Sequence, residues 1–363
     1  MNDQPKLVSD LRSLVRNGRW VARSVMAAAY RRRLSDPWDK QGPCRVLIDT
    51  CQGFAAEDWA TSLGSEFSGR QGAFQVRFSG RWSRLLALAP EAGVIVTPRA
   101  SPQVLSEARA LRWLHLLTAG AENLEGLRLG SSVLITTSTG IAASGVAEHV
   151  LGLMLALSRR LDLAFERQRS GYWDQRGIVE QIRPLRGCVV GIVGLGANGR
   201  AVARLASGVG MRVVGLDLRC EQPIPDVDLL LGPDRLTELL SASDFIVLCV
   251  PLTAKTRSLI GENELRAMKP RACLINVARG AVIDEAALAR ALRSGRVAGA
   301  ALDVRSVEPP RFFDPLWRCP NLILTPHVAG NIYTFRDEIR RHFVLSLKAF
   351  LAGDELEGAT SHA

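Results

Sequence analysis

Residues 188–219 read CVVGIVGLGANGRAVARLASGVGMRVVGLDLR, and the fold turns on this stretch. Val189, Val190, Ile192 and Val193 make a short apolar run, the pattern of a strand buried on both faces. The run breaks at Gly194-Leu195-Gly196-Ala197-Asn198-Gly199, after which Val202, Leu205 and Ala206 recur at helical spacing. A second apolar run, Arg212 to Leu216, ends on Asp217. A GxGxxG motif alone is often only a glycine-rich turn. Here it follows a strand, opens a helix and precedes an acid 18 residues past its last glycine, the context of a dinucleotide-binding fingerprint.

Each residue type then has a physical task. Gly194 permits the tight turn, Gly196 lets backbone approach a pyrophosphate, and Gly199 allows the helix to pack closely on the strand. The helix N-terminus, at Ala197 and Asn198, offers unpaired N–H groups and partial positive charge to phosphate. Asp217 is suited to accept both adenosine ribose hydroxyls, and its charge opposes a 2′-phosphate, so NAD is expected over NADP. Arg219, close by, keeps some NADP use within reach.

The chain of 363 residues is long enough for two domains, and 47% hydrophobic with 23% charged residues is a globular composition. No apolar stretch approaches the ~20 residues that span a bilayer, so no membrane role is expected. Seven scattered cysteines in no metal-ligand spacing read as buried free thiols, which points to a reducing cytoplasm and to no metal site. The net charge of +10 is uneven: residues 1–40 hold nine Lys/Arg against four Asp/Glu, and the body shows no basic stripe interleaved with aromatics. Nucleic acid is therefore not an expected partner.

Residues 1–43 read as an appended amphipathic helical extension, with Leu7, Leu11, Leu14, Val21 and Val25 at helical spacing. From Cys44 strands and helices alternate, which implies parallel sheets covered on both faces. Strands are expected at 45–48, 75–78, 93–97, 113–117 and 133–137, and past Asp217 at 245–250, 272–276, 299–304 and 322–325. Thr118-Ala119-Gly120 directly follows a strand, the place where open α/β sheets bind ligands, and is a candidate substrate loop. Residues 146–161 read as a long helix whose wide apolar coverage suggests burial between domains or subunits. The C-terminal helix, 336–351, is expected to return to the first domain.

Several further motifs, in order, carry a resemblance. Residues 146–149 read VAEH, 250–256 VPLTAKT, 276–280 NVARG, 303–309 DVRSVEP and 325–330 TPHVAG, with FDPLW at 313–317 and Asn321 leading into the last. With the glycine loop, these make the chain resemble the D-isomer-specific 2-hydroxyacid dehydrogenases, of the glyoxylate/hydroxypyruvate reductase kind, over nearly everything after residue 44. The resemblance implies two doubly wound parallel-sheet α/β domains with the active-site cleft between them. A flavodoxin-like catalytic domain would span 44–145 and 328–363, and a Rossmann NAD-binding domain, 146–327, would be inserted in it. It also implies a homodimer.

The resemblance places the family's catalytic residues on Arg279, Glu308 and His327. An imidazole titrates near working pH, so His327 suits the proton that a carbonyl oxygen gains when hydride reaches its carbon. Glu308 on the other ring nitrogen would favour the imidazolium. Arg279, a permanent planar cation, suits the substrate carboxylate and carbonyl. Further cofactor contacts implied are Pro251, Thr256, Val277, Ala278, Asp303 (toward the nicotinamide carboxamide) and Gly330. The substrate expected is a small 2-oxo or 2-hydroxy acid, held by Arg279 and the loop Thr118-Ala119-Gly120.

Two departures from the pattern stand out: Asn198 where an apolar residue is usual, and Ala142 where a polar one is. The rival readings are a phosphoglycerate-dehydrogenase-like enzyme, with Arg99 and Arg112 as candidate phosphate cations, and a non-catalytic NAD-sensing protein like the family's corepressors. Retention of Arg279, Glu308 and His327 favours turnover.

Overall fold

The computed structural model describes residues 43–50, 54–67, 74–120, 124, 127, 129–130, 133–218, 223–332, 334–356 and 359–360. The helical extension expected over 1–43 lies, Pro43 apart, outside the described residues, as does Arg219. The chain forms two compact units, Met1–Thr139 with Arg336–Ala363, and Gly140–Phe335. The second contains the whole span 146–327.

In the first unit, β1 (Cys44–Asp49), β2 (Phe74–Ser79), β3 (Val94–Thr97), β4 (Trp113–Leu116) and β5 (Leu134–Thr137) are parallel, in the flavodoxin-like order β2-β1-β3-β4-β5. The central strands β3 and β4 are buried throughout, while the edge strand β2 alternates with solvent. A two-residue strand, Ala359–Thr360, adds antiparallel to β5, an edge too short for the sequence pattern to show. The helix Phe335–Ala352 packs in this unit. Its Phe343 stacks on Trp113 at 5.4 Å and meets Trp59 edge-on at 5.5 Å, so three large rings close one face of the sheet. His115 is sealed beneath them, with Nδ1 2.7 Å from Thr136 Oγ1. Burial, and secondarily the neighbouring His342, pushes its pKa down to about 3.

In the second unit, β6 (Val189–Val193), β7 (Arg212–Leu216), β8 (Leu229–Leu231), β9 (Phe245–Leu248), β10 (Cys273–Asn276), β11 (Gly299–Leu302) and β12 (Leu322–Leu324) form one parallel sheet, ordered β12-β11-β10-β9-β6-β7-β8. Chain order reverses between β6 and β9, the switch point at which doubly wound sheets open a crevice. β8 was not expected, because three leucines carry no readable period.

The helix Ala143–Arg159 corrects one expectation. Val146, Val150, Leu153, Met154 and Leu157 are not an open face: they pack within this unit against Val190, Ile192, Val202 and Ala206 of β6 and the helix Ala197–Gly208. A helix that covers a two-sided parallel sheet needs a broad apolar stripe for that purpose alone. The helix stops at Arg160, which adopts φ 54°.

Candidate functional site

The glycine loop hangs from the carboxyl end of β6. Gly194 has φ +95°, and a Cβ there would lie 2.9 Å from the Cys249 carbonyl group at the end of the adjoining β9 segment. At Gly199 a Cβ would fall 2.0 Å from the Gly194 oxygen, so only glycine lets the helix Ala197–Gly208 start against the strand. Gly196 differs: a Cβ there would meet nothing within 4 Å. The loop is thus tight on the protein side and open on the other, and the exposed backbone of Gly196 and Ala197 heads a 12-residue helix. This arrangement fits a dinucleotide pyrophosphate. Asn198 sits half-buried in the first turn. Asp217, at the end of β7, accepts from the Leu195 amide at 2.7 Å, which aims the carboxylate at the loop.

Arg279 follows β10 in an extended conformation, its Nη1 donating to the Ala278 carbonyl at 2.7 Å. Its turn is clamped by Asn276, a fully buried amide that donates to the Arg279 carbonyl at 2.9 Å and accepts from the Ala278 N–H at 3.0 Å. Gly280 lets a second loop pass: a Cβ would stand 1.9 Å from the Arg305 carbonyl carbon and 2.1 Å from the Ser306 nitrogen. Val277 and Ala278 are buried beneath.

That second loop carries Glu308. Its Oε1 accepts from the Arg305 amide at 2.8 Å, and its Oε2 lies 2.7 Å from His327 Nδ1. The imidazole side chain is 52% exposed, and with Nδ1 on Glu308 the second ring nitrogen is Nε2. His327 holds φ 54°, a left-handed backbone uncommon for a non-glycine residue. Asp303 fixes that conformation. Its carbonyl accepts the His327 amide at 2.8 Å, while its carboxylate, 2% exposed, accepts Val328 N and Ala329 N at 2.9 Å each. Thr325 Oγ1 donates to the same carboxylate at 2.6 Å, so its oxygen accepts from His149 Nε2 at 3.0 Å. Asp303, expected to face a carboxamide, thus also braces the histidine turn, with Oδ2 accepting only the Ala329 amide among these bonds.

Behind Glu308 lies an ion triad. Arg305, 8% exposed, donates through Nε and Nη2 to the two oxygens of Glu285 at 3.1 Å each, and through Nη2 to Asp314 at 2.9 Å. Glu285 also accepts the Ser306 amide at 2.8 Å. Burial alone would lower the Arg305 pKa, yet the bonds and charges of Glu285 and Asp314 carry it upward. Burial works to raise Asp314, but the Leu316 amide and Arg305 draw its carboxyl below the ordinary range.

The remaining candidates divide by unit. In the second, Thr256 Oγ1 donates to the Pro251 carbonyl at 2.6 Å and knots that loop, and a Gly330 Cβ would come 3.1 Å from Ala142. Ala142 thus stands where the histidine turn passes closely, and a larger side chain would crowd it. In the first unit, Thr118 Oγ1 donates to the Gly120 carbonyl at 2.9 Å, and Thr139 donates to that of Ala119 at 2.7 Å, shaping a strand-end loop. No group of three or more potential metal ligands occurs among the described residues. None of their helices is long and apolar enough to cross a membrane. Asn276, Arg305, Asp314 and Thr325 lie inside the motifs quoted above but had no role assigned, and Glu285 was not marked at all.

The family model described as D-isomer specific 2-hydroxyacid dehydrogenase, NAD binding domain, matches residues 151–329. A glyoxylate reductase of Thermococcus gammatolerans is 37% identical over 270 residues, covering 72% of this chain and 79% of that protein. The chain belongs to the D-isomer specific 2-hydroxyacid dehydrogenase family. Membership makes it an oxidoreductase acting on the CH–OH group of donors, with an NAD-binding domain. Solved D-isomer specific 2-hydroxyacid dehydrogenase structures agree. One from Aeromonas salmonicida is 28% identical with a TM-score of 0.73, covering 88% of this chain and 98% of that one. Another, from Xanthobacter autotrophicus in complex with NADPH and MES, is 27% identical with a TM-score of 0.74, covering 87% and 98%.

Proposed function

We propose that this dehydrogenase moves hydride reversibly between NAD(H) and a small 2-oxo/2-hydroxy acid, with His327 as acid and base. The observation that carries this is the 2.7 Å pair of His327 Nδ1 and Glu308 Oε2. It engages Nδ1 and so assigns Nε2 to give a proton to the carbonyl oxygen in reduction, or to take it in oxidation. Glu308 orients the imidazole and balances its charge. A dinucleotide held by the glycine loop would supply the hydride chemistry. Arg279 pairs with the substrate carboxylate and polarises the carbonyl. Thr118, Ala119 and Gly120 are assigned to substrate, and the residues 146–327 to the dinucleotide. Asp303 is assigned to face the nicotinamide carboxamide while its other contacts hold the His327 turn.

NAD is proposed over NADP, because the carboxylate of Asp217 is held at the loop where a 2′-phosphate would meet its charge. A glyoxylate-like acid is the substrate class favoured, since the curated relatives are glyoxylate reductases. A homodimer is proposed on a different surface from the one first expected. Leu155, Leu161, Phe165, Tyr172, Trp173 and Val179, all within 25 residues of chain, stay exposed, Trp173 at 90%, and are the apolar side chains proposed to meet a second copy. A cytoplasmic setting is supported by the free thiols of Cys44, Cys188, Cys249, Cys273 and Cys319.

The test is NADH oxidation with a panel of 2-oxo acids, with chiral analysis of the product. Turnover of glyoxylate or hydroxypyruvate, the latter giving the D-hydroxy acid, is expected. NADH binding without turnover of any panel member would instead favour the sensor reading.

A further inference from the structure

We propose that Arg305, clamped by Glu285 and Asp314, is a positioning residue that sets Glu308 against His327. The proposal rests on the roles given above to Glu308 and His327, and extends them by one layer.

Three observations lead there. First, the Arg305 backbone amide is a direct partner of Glu308 Oε1 at 2.8 Å, so wherever Arg305 is held, Glu308 is held. Second, the Arg305 guanidinium is gripped from two directions by Glu285 and by Asp314, while Glu285 also takes the next amide, Ser306 N. The same segment is pressed against Gly280, so it has nowhere to slide. Third, the arrangement is a poor device for stability. Arg305 Nη1 is buried with no hydrogen-bond partner among the described residues, and a buried ion pair commonly does no better than apolar packing of similar volume. What a two-pronged guanidinium supplies that apolar contacts do not is a fixed position.

The consequence is confined to one half of the site. Arg279 has its own clamp in Asn276, so loosening the triad leaves substrate capture largely intact. It frees Glu308, and with it the orientation of the His327 ring, so the loss falls on kcat rather than on KM. The charged and titratable groups around this turn are Glu308, His327, Asp303 and, through Thr325, His149. Of these only Glu308 is tied to Arg305 directly.

Full-length Arg305→Lys keeps the charge and loses the fork. Glu285→Gln is milder, since it keeps an acceptor for Ser306 N. We expect kcat for 2-oxo acid reduction to fall tenfold or more in Arg305→Lys and about fivefold in Glu285→Gln. The KM for the acid should stay within threefold and the NADH Kd within twofold. Adding Glu285→Gln to Glu308→Gln should cost less than twofold beyond Glu308→Gln alone, because both act through one carboxylate. If Arg305→Lys does not fold, Glu285→Gln and the double variant carry the test. Wild-type kcat in a folded brace variant, or fully multiplicative losses in the double variant, overturns the proposal. Wild-type kcat in Glu308→Gln alone would instead overturn the roles on which it rests.

Discussion

Replacing Gly280 by alanine probes how closely the site is assembled. The new methyl would lie 1.9 Å from the Arg305 carbonyl carbon and 2.1 Å from the Ser306 nitrogen, both backbone atoms that no rotamer change can move aside. Reaching an ordinary contact near 3.5 Å requires the two loops to part by about 1.5 Å. Overpacking of this kind costs about 1–3 kcal/mol, which for a unit of this size lowers the melting temperature by roughly 3–10 °C. The larger effect is on rate. The loops that separate carry Arg279 on one side and Glu308 on the other, and a misplacement of about 1 Å costs on the order of 100-fold in turnover. Gly196→Ala is the control, because its methyl meets nothing within 4 Å. It should leave the melt unchanged or slightly raised while weakening NADH binding tenfold or more. The assays are steady-state NADH oxidation, fluorescence titration of NADH and thermal unfolding. A Gly280→Ala protein with a melt within 1 °C of wild type and kcat within twofold would refute the reasoning.

Two other perturbations act elsewhere. His115 is neutral in the fold with a pKa of about 3, against 6.5 for the free side chain, so the unfolded chain binds its proton first as pH falls. Its contribution is fully present above pH 6.5 and is lost on going from 6.5 toward 3, by about 2–3 kcal/mol at pH 4.5. Urea titrations of wild type and His115→Gln at pH 7.5 and 4.5 should show the variant losing less stability on acidification, and equal losses would count against the sealed histidine. Asp217→Asn removes the charge opposing a 2′-phosphate, so the NADPH/NADH ratio of kcat/KM should rise at least tenfold; comparable kcat/KM for the two cofactors in wild type would remove the role given to Asp217.

What the sequence made legible follows from periodicity and spacing. The glycine loop, β6, β7 and Asp217 lie together in the chain as they do in space, and Leu195 N to Asp217 closes the unit. Glu308 and His327 are 19 residues apart, and recognisable motifs marked both. The misread face of the helix Ala143–Arg159 shows the opposite case. Apolar width says that a face is buried, not by what, and the helix Ala197–Gly208 had already claimed it. The triad Glu285–Arg305–Asp314 was not legible as a unit, because Arg305 and Asp314 lay in quoted motifs while Glu285, 20 residues before Arg305, had nothing to link it to them. Asp303 was legible as a strand-end carboxylate, but its bonds to Thr325, Val328 and Ala329 join segments that have no local pattern in the chain.

The most direct measurement is kcat/KM for reduction of the best 2-oxo acid by wild type and by His327→Gln, with NADH affinity determined in parallel. The account predicts a loss of 100-fold or more in His327→Gln with NADH binding within threefold of wild type. A His327→Gln enzyme that keeps most of its activity would contradict the assignment of His327 as acid and base.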